Sequence, residues 1–87
     1  MRNPCNPDQP PTITALRRAL AAYRRAFREC GRDFLLLPGD EQDRRAANLQ
    51  STSEAMWRAV ETLGEDGAVA EATKRRWWRR VEAALAS

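Results

Sequence analysis

The sequence predicts an all-α protein. Two long helices form an antiparallel hairpin, a third, C-terminal amphipathic helix completes an up-down-up arrangement, and a disordered proline-rich tail precedes them. Three observations carry this expectation. Ala, the strongest helix former, supplies 15 of the 87 residues. Ile and Val together supply only four, too few to build a sheet. Large apolar residues recur at heptad spacing in two long runs, each closed by Gly or Pro.

Residues 1–11, MRNPCNPDQPP, hold four of the five prolines and almost no apolar surface. Such a segment cannot offset the entropy of ordering it and reads as a flexible tail before a single helical domain, 12–87. It lacks the apolar stretch of a signal peptide, so cytoplasmic residence is the default expectation. No apolar run approaches the ~18–20 residues of a membrane span.

The first helix begins after Pro11, with Thr12 or Thr14 as candidate caps. Its seam is Ile13, Leu16, Leu20, Tyr23, Phe27, Cys30, Phe34 and Leu37, stepping 3, 4, 3, 4, 3, 4, 3. Ala15, Ala19, Ala22 and Ala26 flank it and allow close helix approach. Gly31 either ends this helix or leaves a weak point in it. The in-phase Phe34 and Leu37 favour continuation to about residue 36, before Pro38-Gly39 stops it.

Asp40 opens the second helix, with Glu41 and Asp43 also in the first turn, where the helix dipole favours negative charge. Its stripe is Ala46, Leu49, Ser53, Met56, Val60 and Leu63, with Trp57 beside it, and Gly64 ends it. Asp66, in the turn Gly64–Gly67, is placed to cap a third helix over roughly 67–85. There Ala70, Trp77, Trp78, Val81, Ala84 and Leu85 share one broad face, and Arg75, Arg76, Arg79 and Arg80 the opposite one. Glu71 and Glu82 are spaced to pair with Arg75 and Arg79. The third helix is expected to pack across the hairpin or to reach a second subunit.

The core must be thin. Of the 43% hydrophobic residues, with Ala, Cys and Met1 set aside, only 19 are large side chains. The net charge of +3 is unevenly spread. Residues 12–37 carry six Arg against Glu29 and Asp33, whereas 38–64 carry three Arg against five acids. Acids of the second helix facing arginines of the first would explain this asymmetry. The basic residues are 14 Arg and one Lys, a bias that fits a GC-rich bacterial genome. Arginines 24 and 28, and 28 and 32, stand one turn apart, and their repulsion calls for an offset from acids, a partner or phosphates.

The residue types exclude much chemistry. There is no His, the commonest general base and metal ligand. Cys5 and Cys30 have no zinc-ligand spacing; Cys30 reads as a small core residue and Cys5 as an incidental exposed thiol. Ser51, Thr52 and Ser53 have no activating base, the acids cluster at helix starts, and the glycines form no phosphate loop. The reading is of a non-enzyme with no cofactor, metal or small-molecule substrate.

The most unusual local feature is Lys74-Arg75-Arg76-Trp77-Trp78-Arg79-Arg80. In the simplest account the tryptophans add core volume and the arginines are a solvated face, in which case Trp78 is the less buried of the two. The competing accounts are docking of an acidic protein, phosphate-backbone binding with Trp stacking on bases, and adsorption to a membrane surface.

The functional expectation is a small helical binding or regulatory protein acting by protein–protein interaction, as a homodimer or a partner-bound subunit. Leu20, Tyr23, Phe27, Phe34, Trp57 and Trp78 are the candidate interface. The alternative is a nucleic-acid-binding accessory protein using Arg75, Arg76, Arg79 and Arg80 with Arg24 and Arg28. If arginines of the first and third helices share one face, the nucleic-acid reading gains; if acids of the second helix cover them, protein docking or a solvated face gains.

Overall fold

The structure, a computed structural model, describes residues 10–31 and 33–86. Cys5, Arg32, Ser87 and residues 1–9 of the tail expected over 1–11 lie outside the described residues. Three helices, α1 (Pro11–Glu29), α2 (Gly39–Gly64) and α3 (Glu71–Ala86), and a short 3-10 turn (Phe34–Leu36) account for the order of elements. There is no strand among the described residues.

Helix α1 begins one residue earlier than expected, because Pro11 supplies a helix-ready φ and lacks only an N–H that the first turn would leave unpaired. Neither threonine caps it: the Pro10 cap position has no side-chain hydrogen bond. The Thr12 hydroxyl instead donates to Asp66 Oδ2 at 2.6 Å, tying the start of α1 to the α2–α3 turn.

The expected run through Gly31 does not occur. Helix α1 ends at Glu29, with Cys30 as its C-cap, and the chain turns at Cys30-Gly31. Gly31 N–H donates to Arg28 O at 3.1 Å, and a Cβ at Gly31 would crowd that oxygen at 3.0 Å, so a side chain there would push the turn slightly apart. The geometry of α1 also removes the reason to continue. A straight helix drifts about 20° per heptad from a strict seven-residue repeat. By the third heptad Ala26 has taken the buried position, while Phe27 is 39% exposed.

Helices α1 and α2 run antiparallel. The start of α1 meets the end of α2 through Thr12 and Asp66. The end of α1 meets the start of α2 through Cys30 Sγ, which donates to Arg45 O at 3.5 Å. At 16 residues, α3 is about 24 Å long against about 39 Å for the 26-residue α2. It therefore covers only part of the hairpin. The core collects Ile13, Leu16, Leu20 and Tyr23 from α1, Met56 and Leu63 from α2, and Trp77, Val81 and Ala84 from α3. Val69, in the turn before α3, closes its base. The first half of α2 contributes no buried residue; Ala46 is exposed and Leu49 half-buried.

Each hairpin helix has its C-terminal carbonyls met by a cation from the next helix. Arg45 Nη1 donates to Glu29 O at 2.8 Å, and Lys74 Nζ donates to Gly64 O at 2.9 Å. Both neutralise the negative end of a helix dipole and pair a carbonyl the helix cannot pair itself.

The third helix starts at Glu71, not near 67. Asp66 caps the preceding turn rather than the helix: its Oδ1 accepts Ala68 N–H at 2.9 Å. Ala70, expected on the apolar face, is exposed, and Val69 is buried in its stead.

Candidate functional site

The charge expectations change once the helices are placed. Glu41 of α2 does not reach the arginines of α1; it pairs with Arg44 and Arg45 of its own helix. Glu71 pairs with Lys74 at 3.5 Å rather than with Arg75, and no ion pair joins Glu82 to Arg79. No ion pair between α1 and α2 forms among the described residues. The arginines of α1 are thus left without the acids that the segment charges suggested for them.

Their neighbour is α3. Arg17, Arg24, Arg25 and Arg28 from α1 and Arg80 from α3 line one groove of about 520 Å³, with Leu20, Ala21 and Trp77 completing it. Trp77 is buried, and two guanidinium groups sit against its ring, that of Arg80 at 4.5 Å and that of Arg17 at 5.8 Å from the centroid. Cation–π attraction holds both in place across the seam between α1 and α3. No acidic side chain lines this groove.

The arginine quartet of α3 does not act as one patch. Arg80 faces α1, whereas Arg75 lines a separate apolar cleft of about 250 Å³ beside Leu16, Val60, Leu63 and Trp78. Arg76 and Arg79 are exposed, and Arg76 stands one turn before Arg80 on the same side of the helix.

The two tryptophans part company as the core account required: Trp77 is 6% exposed and Trp78 39%. Trp78 leans on Trp57 of α2, with ring centroids 5.8 Å apart and planes at 52°. Each therefore gives part of its apolar surface to the other. Of the remaining expected interface residues, Leu20 and Tyr23 are buried within the chain's own core. A partner could reach them only by opening it. Phe27 stacks on Tyr23 with centroids 6.2 Å apart and keeps its outer side in water. Phe34 is half-buried beside Cys30, Ala46 and Leu49.

Two residues that the heptad pattern does not single out are the most exposed large apolar side chains at this end. Leu35 is 81% and Leu36 82% exposed, in the 3-10 turn at the tip of the hairpin. Adjacency to Pro38-Gly39 was their signal, because leucines next to a stop sequence have little helix left to bury them. Arg45 and Lys74 were also missed as carbonyl partners; nothing in their local spacing marks a contact to a preceding helix.

Two polar side chains are occupied structurally. The Thr52 hydroxyl donates to Asn48 O at 2.9 Å and Leu49 O at 3.0 Å within its own helix. Asp66 is held below the ordinary aspartate value, first by the Thr12 hydrogen bond, then by Ala68 N–H and the charge of Lys74. Among the described residues no three His, Cys, Asp or Glu gather as a metal site, and no helix is long and apolar enough to cross a membrane. The protein is thus a three-helix all-α protein with two candidate surfaces, a basic groove and an apolar hairpin tip. Comparison with protein-family models, curated proteins and solved structures finds no match.

Proposed function

We propose that this is a small non-enzymatic helical binding protein that acts by protein–protein contact and self-associates through the open tip of the α1–α2 hairpin. The observation that carries the reading is the run of exposed apolar side chains there: Leu35, Leu36 and Phe27, beside the half-buried Phe34 and Leu49. Helix α3 reaches only the Phe27 edge of this shelf, through Ala83 and Ala84.

A second copy is the occupant that fits. The projecting Leu35-Leu36 pair and the shelf of Phe27, Phe34, Ala46 and Leu49 lie at the same end of one chain, so a twofold axis lets each copy place its leucines on the other's shelf. The charges at this end suit the same exchange. Arg28 has no acidic partner, and Asp40 and Asp43 have no basic one, among the described residues. Tyr23 borders the shelf, Leu20 lies in the core and along the α1–α3 groove, and the Trp57–Trp78 pair lies outside it.

Light scattering and sedimentation equilibrium test this. The expected result is a dimer at tens of micromolar, about the strength of a small interface. Leu35→Ser with Leu36→Ser should give a monomer with unchanged helical circular dichroism, since both side chains already stand in water. A wild-type chain that stays monomeric to roughly 100 µM overturns the reading.

A further inference from the structure

We propose a second activity, independent of self-association: the groove between α1 and α3 binds the phosphate backbone of duplex nucleic acid without reading its sequence. Three features of the groove point there.

The first is uncompensated charge. Arg17, Arg24, Arg25, Arg28 and Arg80 line the groove with no acid among them. Every ion pair among the described residues lies elsewhere, on Glu41 or Glu71. Arg17 and Arg80 are held against a single ring, so two like charges share one site. An anion seated between them relieves that repulsion and meets two planar donor forks, the geometry that phosphate oxygens accept best.

The second is repetition. Arg17, Arg24 and Arg28 stand at intervals of seven and four along α1 and so share one side of it. From Arg17 to Arg28 the helix rises about 16 Å. That length matches about five phosphates of one strand at 3.4 Å each along a duplex axis. A groove with five arginines over this length suits a polyanion better than a single phosphate group.

The third is what the groove lacks. Stacking on unpaired bases needs an open aromatic face. Trp77 is covered by its two arginines and the core, and Trp78 belongs to the other flank of α3, against Trp57. Nor does any Asn or Gln line the groove to read an adenine edge. The groove therefore offers dense positive charge with neither an open aromatic face nor an adenine reader, which favours the duplex backbone.

Fluorescence anisotropy of the full chain with a labelled random-sequence duplex of about 20 base pairs tests the proposal. Binding should weaken roughly 10²- to 10³-fold between 50 and 200 mM salt if four or five phosphates are engaged. Arg17→Gln with Arg80→Gln should cost about tenfold or more at low salt and lower the salt slope by about one per arginine. Arg44→Gln with Arg58→Gln, the same loss of charge outside the groove, should cost no more than about threefold. Arg28 borders the hairpin tip as well and is left unchanged, so a failure of self-association and a failure of this groove remain distinguishable. Circular dichroism establishes that each variant folds. The proposal is overturned by absence of binding at 50 mM salt, or by equal losses in the two double variants. Polyglutamate bound as tightly as duplex would assign the groove to an acidic protein instead, and tighter binding of single strands would remove the duplex assignment.

Discussion

The two ends of the α1–α2 hairpin carry the same kind of sequence and reach different structures. At one end, where α1 begins and α2 finishes, α3 lays Trp77, Val81 and Ala84 across the seam. Leu16, Met56 and Val81 there are fully buried. At the other end the same heptad spacing continues through Phe27, Cys30 and Phe34 against Leu49, yet no residue of the seam beyond Ala26 is fully buried. Both ends are fastened by the same device, a cation on the last carbonyls of a helix, Lys74 on Gly64 at the closed end and Arg45 on Glu29 at the open one. The difference is the third layer. Two helices bury a stripe on each other only along their line of contact, and a residue just off that line needs a further element to leave water.

Substitutions at matched depths along the seam break this comparison most directly. Trp77→Ala should cost about 3–5 kcal/mol and Met56→Ala about 2–5 kcal/mol, because both leave cavities in the three-layer region. Phe27→Ala at the open end should cost no more than about 1–2 kcal/mol, since over a third of the residue already meets water. Urea denaturation measures all three, with a shifted midpoint and unchanged slope marking a simple loss of stability. Equal costs at the two ends would mean that the open end is as well packed as the closed one.

A smaller effect is expected from the fastening itself. Arg45 joins Glu29 O and Glu41, and its side chain is about one-third exposed. Arg45→Met should therefore cost about 1 kcal/mol. The sharper readout is local. Amide exchange should quicken over residues 26–37 and stay unchanged over 13–23, because opening of the tip need not disturb the three-layer core. Uniform acceleration would show that the two ends open as one unit.

The smallest effect concerns the latch at the closed end. The folded pKa of Asp66 lies below its ordinary 3.8, chiefly because Thr12 donates to the carboxylate. A lowered folded pKa means that the stabilisation is complete above pH 3.8 and is lost as pH falls through the lower folded value. Thr12→Val should lower the melting temperature slightly at pH 7, and the gap to wild type should narrow below pH 3.8. A gap that stays constant across this range would mean that Thr12 contributes by packing alone.

The sequence made the helices legible because each is written locally. Ala content, Pro38-Gly39 and Gly64 delimit α2 to within a residue, and the 3.5-residue spacing picks out Ile13, Leu16, Leu20 and Tyr23 of the core. Where the reading failed, a local pattern was extended past its range. Phe34 and Leu37 remain in phase by count, but the turn at Gly31 depends on the approach of Arg28 O, which no spacing reports. Val69 fell inside the expected third helix but was not placed on its apolar face; it lies in the turn before α3 and is core, because burial in a turn depends on what folds over it. The arginine groove was half visible. Arg17, Arg24, Arg25 and Arg28 were legible as part of one basic cluster on the first helix and Arg80 as part of the third helix's Arg face, but their grouping with Trp77 needs the relative rotation of α1 and α3.

The sequence by itself thus determined which segments are helical, which faces of them are apolar, and that the large side chains are few. These follow from backbone propensity and periodicity, which act over a turn or two of chain. The tertiary structure alone decided which part of the seam is covered, that acids of α2 serve their own helix rather than α1, and that arginines from two helices converge on one tryptophan. Those outcomes depend on where a 16-residue helix comes to rest against a longer hairpin. That position is set by the balance of many weak contacts distant in sequence, and no single stretch of the chain encodes it.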